Sequence, residues 1–377
     1  MIVVVKSPYT SAEFAAYLHR SAPPLLDERP LLFTLHQRPL LIQSNAPKLL
    51  QQLQRYFGSY ITLPSPEQQS SATPRITLLE APPFSGDPAL PLQVWPHEAG
   101  KQGRKEAWFD LSDGRLIHKV RSGVLFLQHP HHLTAFGPCL AHESQIINFI
   151  LVQSMNSLQQ QGWLICHASG LDRNGEGLAI AGVSGGGKST LMLKLLEEES
   201  IRFVSNDRLF LRRDSHGIPI ARGIPKLPRI NPGTIIHNRR LQPLLSASRR
   251  EQLRQLPSAE LRQLEEKYDV DIERFYGQGR MRDSTTLRRL LLLNWSPRQG
   301  EALRLQPVDL EQRQELLKGI MKSPGPFFHT TEGHYQQPRD EIAIAPYLQQ
   351  LQGVEIYEAT GTIDFEKLQQ LCYQQLI

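Results

Sequence analysis

The sequence predicts an α/β protein in which a glycine-rich core is preceded by a smaller N-terminal α/β domain. Three observations carry this. The apolar run Leu178-Ala179-Ile180-Ala181 passes directly into Gly182-Val183-Ser184-Gly185-Gly186-Gly187-Lys188-Ser189. Leucines at helical spacing (Leu191, Leu193, Leu195, Leu196) follow, predicting a helix over 189–199. A further apolar run, Ile201-Arg202-Phe203-Val204, ends at Ser205-Asn206-Asp207. Strand, loop, helix and strand in that order put the loop at the carboxyl end of a sheet, where such folds bind ligands.

At 377 residues the chain exceeds one average domain. It reads as an accessory domain over 1–95 and a core domain over 96–377, with the boundary in the proline-rich stretch 82–96. Hydrophobic residues at 40% and charged residues at 21% match an ordinary globular protein. No stretch approaches the ~20 apolar residues of a membrane span. The opening Met1-Ile2-Val3-Val4-Val5-Lys6 is too short for a signal segment and reads as a strand. The three cysteines are scattered and form no CxxC pair, which excludes a zinc ribbon or disulfide framework and suits a cytoplasmic protein. Cys166 stands beside His167, but neighbours on a strand point to opposite faces, which weighs against a Cys/His nucleophile. The formal charge of +5, with arginines concentrated over 202–298, suits a phosphate-bearing ligand or an acidic partner. A nucleic-acid reader would show a denser basic patch interleaved with aromatics. Neither a membrane nor a nucleic acid is an expected partner.

Along the chain, a helix is expected over 11–20, apolar segments at 31–35 and 40–42, and a helix over 46–57. Residues 64–74 are rich in Pro, Ser and Gln and read as a loop. From Glu106 a strand meander begins, with Ser112-Asp113-Gly114 as its hairpin turn and apolar runs at 116–120 and 124–127. A helix over 142–161 follows, its apolar face made by Ile146, Ile147, Phe149, Ile150 and Val152. Residues 163–168 read as a strand and 172–176 as a turn. Beyond the core block, 217–233 reads as a long loop, 249–274 as one or two charged helices, 287–295 as an apolar strand, and 354–359 and 364–371 as a last strand and helix.

A triphosphate must be bound by several donors without bulky side chains intruding. Glycines let successive N–H groups turn inward, and a helix N-terminus adds positive partial charge. Gly182, Gly185, Gly186 and Gly187 supply that freedom, with Ser184 between them. Lys188 is spaced to reach the β/γ-phosphates, and the Ser189 hydroxyl, followed by Thr190, to meet Mg²⁺. The context of strand before and helix after distinguishes this from a chance glycine turn, so ATP with Mg²⁺ is the expected cofactor pair. Asp207, one helix downstream, is expected on a strand beside the loop strand. A carboxylate there can hold the metal, accept a proton from an attacking hydroxyl, or simply cap the next element. His167 ends the preceding strand, a position that serves a structural and a catalytic histidine equally. Arg222, Lys226 and Arg229 are candidates for clamping phosphates or an acidic substrate, with ordinary surface charge as the alternative.

The three-part run His167-Ala168-Ser169-Gly170, Gly182 to Thr190, and Ser205-Asn206-Asp207 resembles the HPr kinase/phosphorylase family and its HPr-kinase-related relatives. The likeness spans roughly 140–235. It implies a P-loop-containing, PEP carboxykinase-like kinase core and transfer of the ATP γ-phosphate to a hydroxyl, typically a protein serine. It further implies Lys188 and Ser189 in the phosphate and metal roles, Asp207 as metal ligand or general base, His167 near the phosphates, and self-association into a homo-oligomer. Two departures matter. Asn206 stands where the family carries a first aspartate, and Ile220 where it carries a glutamate before Arg222-Gly223. The second puts the reverse phosphorylase activity in doubt. Two rival readings remain open: a P-loop ATPase, although the run 290–293 ends at Asn294 rather than an acid, and an ATP-sensing module without turnover.

Overall fold

The computed structural model describes residues 9–25, 30–69, 73–86, 90–96, 106–183, 185–257, 260–261, 264, 266–295 and 301–377. The expected strand at the extreme N-terminus lies outside these. The chain divides into two compact units, Met1–Gln161 with Pro324–Glu341, and Gly162–Ser323 with Ile342–Ile377.

In the first unit, helix α1 (Ser11–Arg20) opens with a capping box. The Thr10 side chain accepts from the Glu13 N–H, and the Glu13 carboxylate accepts from the Thr10 N–H. Strands β1 (Leu31–Leu35) and β2 (Arg38–Ser44) precede helix α2 (Pro47–Phe57), which starts with proline in its first turn and buries Leu49, Leu50, Leu53 and Phe57 along one face. The short β3 (Ile61–Thr62), then β4 (Arg75–Glu80), β5 (Gln93–Val94), β6 (Glu106–Asp110), β7 (Arg115–Lys119), β8 (Val124–Gln128) and β9 (Leu133–Gly137) follow, and helix α3 (Glu143–Gln160) closes the run. Among the described residues the strands form one sheet in the order β3-β1-β2-β4-β9-β8-β7-β6-β5.

This sheet corrects the expected boundary near residue 95. β4 pairs in parallel with β9, and β5 pairs with β6, so the hydrogen-bonded ladder runs straight through the proline-rich stretch. The division falls instead at Gln161/Gly162. The segment Pro324–Glu341 belongs to this unit because buried Arg115 holds it. The guanidinium pairs with Asp110, donates to the carbonyls of Pro326 and Gln336, and lies 4.8 Å from the Tyr335 ring centroid.

The second unit carries β10 (Leu164–Cys166), β11 (Ala168–Arg173), β12 (Glu176–Gly182), helix α4 (Lys188–Leu195), β13 (Ile201–Ser205), β14 (Leu209–Arg213) and β15 (Pro219–Arg222). Then come β16 (Arg229–Ile230), β17 (Tyr268–Asp269), β18 (Ser284–Leu293), β19 (Arg304–Pro307) and β20 (Glu355–Thr360). The main order is β10-β14-β15-β18-β12-β11-β13, with β20 also on β18 and β19 on β20. The expected long loop over 217–233 therefore contains β15, an internal sheet strand, and β16. The strands β12, β18 and β20 are parallel, β18 ending in the buried run Leu290–Leu293, and the sheet has a core on each face. One face packs Leu191, Met192 and Leu195 of α4 with Leu291 and Leu293; the other packs Leu290 and Leu292 with Leu317 and Ile320. Helices Ala247–Arg254 and Ile272–Tyr276 overlap the two ends of the expected charged helical stretch, 249–274, and β17 interrupts it.

The structure corrects one adjacency. β13, which leads to Asp207, does not lie beside the loop strand β12; β11 runs between them. β12 turns back through Asn174-Gly175 from β11, and β13 pairs with the outer edge of β11. Among the described residues no helix is long and apolar enough to cross a membrane.

Candidate functional site

The strand directions bring the candidate residues to one sheet edge. β11 is antiparallel to both β12 and β13, so the carboxyl ends of β12 and β13 and the start of β11 share that edge. Gly182 ends β12, Asp207 follows β13 by two residues, and His167 immediately precedes β11. The intervening strand thus puts His167 between the glycine loop and Asp207.

The loop is tightly held. Gly182 has φ +145°, and a Cβ there would meet the Leu293 carbonyl oxygen at 2.6 Å, so only glycine fits where β12 leaves the sheet. Gly187 precedes α4 in the left-handed region, φ +89°. The positive end of a helix at this point favours an anion. Lys188 is buried and its Nζ donates to the carbonyls of Gly182 (2.9 Å) and Val183 (3.1 Å), so the ammonium sits inside the loop. Ser184 lies outside the described residues. Two aromatics brace the loop from outside. Trp295 Nε1 donates to the Gly186 carbonyl at 2.7 Å, and the Phe365 ring lies edge-on to Trp295 and against Gly187. Trp295 follows the end of β18, which runs parallel to β12, and Phe365 opens the last helix, Phe365–Gln375. Trp295→Phe removes one neutral hydrogen bond, about 1 kcal/mol. Denaturation should then find the variant destabilised by about 1 kcal/mol, with the chain still folded.

Beyond the loop, Asn206 Oδ1 accepts from Ser169 Oγ (2.8 Å) and Ser189 Oγ (3.0 Å), tying β11, α4 and the end of β13 together. Asp207 has φ +68°, a left-handed conformation that Asp and Asn tolerate better than other side chains. Its carboxylate faces three basic side chains: His167 Nε2 at 3.2 Å, Lys322 Nζ at 3.6 Å and Arg208 Nε at 3.9 Å. Burial opposes ionisation of Asp207, but the His167 hydrogen bond and the charges of Lys322 and Arg208 outweigh it and hold the carboxyl far below the usual range. Lys322 reaches the site because its segment runs beside β10, with His167 N–H donating to the Ile320 carbonyl at 2.7 Å. A depressed carboxyl stabilises the fold above its ordinary pKa of 3.8 and loses that contribution as pH falls below it. Melting temperature against pH should therefore fall less steeply below about pH 4 in Asp207→Asn than in the parent chain.

His167, Gly185, Gly187, Lys188, Ser189, Thr190, Asn206, Asp207, Lys226 and Arg229 line one cavity of about 330 Å³. The segment 226–234 also lines it, joined to α4 by the Thr190 and Thr234 hydroxyls 3.0 Å apart. Lys267 and Asn231, which no local motif marks, also line it. Arg222 does not: on β15 it stacks over the Trp163 ring at 4.5 Å, beside Arg212 at 4.9 Å, so the candidate clamp reduces to Lys226 and Arg229. Cys166 is buried, and burial pushes its thiol well above the usual range, so the Cys/His nucleophile falls away.

The Ser189 hydroxyl and the Asn206 amide oxygen are donors that suit a hard divalent cation shared with phosphate oxygens, and the Asp207 carboxylate lines the same cavity. Among the described residues no group of three or more His, Cys, Asp or Glu is arranged to hold a metal by itself. The strand where an ATPase would carry its acid, β18, ends at Asn294, whose amide donates to buried Glu358 at 2.7 Å.

No family model matches the chain, and no curated protein matches it. Among solved structures it is similar to the HPr(Ser) kinase/phosphatase from Coxiella burnetii, at 11% identity and a TM-score of 0.27, over 56% of this chain and 88% of that one. That likeness is too low to transfer anything from that protein to this chain.

Proposed function

We propose that the chain is an ATP-dependent phosphotransferase that moves the γ-phosphate to a hydroxyl group. The observation that carries this is the convergence of the loop lysine, Ser189 and the Asp207–His167 pair on one cavity. The loop amides and Lys188 bind the β- and γ-phosphates. Ser189 and Asn206 offer oxygens to Mg²⁺, which when bound neutralises charge on the phosphates. Asp207, already facing three basic side chains, serves the acceptor hydroxyl rather than the metal. It is ionised at neutral pH, accepts a hydrogen bond from that hydroxyl and aims its oxygen at phosphorus. In a loose transition state the proton leaves late, so orientation counts for more than base strength, and a weakly basic carboxylate suffices. His167, bonded to Asp207, keeps the carboxylate turned toward the acceptor.

A nucleotide sensor is the second reading, favoured by the neutral Asn206 and by the weak basicity of Asp207. Incubation with γ-labelled ATP, Mg²⁺ and a cell lysate separates them. Label in an acceptor supports phosphotransfer; label released as free phosphate means an ATPase; binding without turnover means the sensor.

A further inference from the structure

Resting on the phosphotransferase reading, the charge around the cavity points to the acceptor's chemical class. Lys188 and the loop amides answer the nucleotide, yet Lys226, Arg229 and Lys267 line the same cavity from other segments. Arg208 and Lys322 act electrostatically on Lys226 as well. Among the described residues Asp207 and Asp269 stand against these cations, the latter 3.3 Å from Arg229. Among these described residues positive charge is in the majority. Burial, with the charges of Arg208, Arg229 and Lys322, pushes the Lys226 ammonium down to about 7 despite Asp207, and an anion beside it would restore its charge. Asn231 adds an independent sign of a ligand: its side-chain oxygen is buried with no hydrogen-bond partner among the described residues, and the residue lines the cavity. An acceptor oxygen beside a cationic cluster suits a molecule with both a hydroxyl donor and an anionic group.

We propose that the acceptor is a small alcohol bearing its own phosphate or carboxylate, its anion seated on Lys226, Arg229 and Lys267 and its hydroxyls shared between Asp207 and Asn231. A cavity of about 330 Å³ that also admits the γ-phosphate has room for a compact compound rather than a folded protein surface. Arginine and lysine together hold either anion by charge-assisted hydrogen bonds.

The test uses the full chain, γ-labelled ATP and Mg²⁺ with a cell lysate divided into macromolecules, uncharged or cationic small molecules, and anionic small molecules. Label should enter a compound of the anionic fraction, and phosphatase treatment of that fraction beforehand distinguishes a phosphate ester, which it destroys, from a carboxylate, which survives. Label entering an uncharged compound or a macromolecule, including an acidic peptide, overturns the acceptor class but leaves phosphotransfer standing. Label entering no fraction overturns both. With the labelled compound in hand, Lys226→Gln and Arg229→Gln should each raise its KM about tenfold while the KM for ATP changes less than about twofold. An equal rise in both KM values would assign these cations to the nucleotide and refute the subsite.

Discussion

Lys188→Met is expected to lower nucleotide affinity about a hundredfold and to remove phosphate transfer. The ammonium is buried within the glycine loop and already bonded to the Gly182 and Val183 carbonyls, so its charge is held where the β/γ-phosphates would lie. Two charge-assisted hydrogen bonds at about 1.5–3 kcal/mol each set the scale, since 1.4 kcal/mol is tenfold in affinity. Methionine keeps most of the aliphatic stem, so the packing around α4 is retained and the change isolates the charge. Binding measured by calorimetry and folding by circular dichroism should separate cleanly: a folded chain that does not hold ATP. Undiminished binding would mean that the loop is a turn and nothing more.

Asp207→Asn is expected to lower the transfer rate by about 10²–10⁴ while leaving ATP affinity unchanged or slightly improved. Asparagine accepts the left-handed backbone at this position as readily as aspartate, so the loop keeps its shape. What is lost is the charge that orients the hydroxyl and balances Lys322 and Arg208. The site becomes more positive, which favours the nucleotide. A fall in KM for ATP together with a collapse of kcat is the expected signature. Transfer at the parent rate would remove Asp207 from the reaction, and an equal loss of ATP binding would make its role structural.

The parts of this site that were legible in the sequence are those encoded locally. Glycine spacing followed by leucines at helical intervals marks the loop and α4. Long-range pairing was not legible. Nothing near residue 95 reveals that β4 pairs with β9, because the partner strand lies more than fifty residues away. The insertion of β11 between β12 and β13 is likewise a property of the hairpin at Asn174-Gly175, which folds β11 onto β12 and leaves its other edge for β13. Side-chain direction misled at Arg222, whose strand turns it onto Trp163 instead of toward the loop. Lys322, Lys267 and Trp295 arrive from distant segments, and only the shared carboxyl edge of β12 and β18 would have hinted at Trp295.

The most direct measurement is a crystal structure of the chain with Mg²⁺ and a non-hydrolysable ATP analogue. The γ-phosphate should lie within hydrogen-bond reach of Lys188 Nζ, with Asp207 facing it across the same cavity. An analogue bound elsewhere, or an ammonium still on the Gly182 and Val183 carbonyls with no phosphate beside it, would contradict the account.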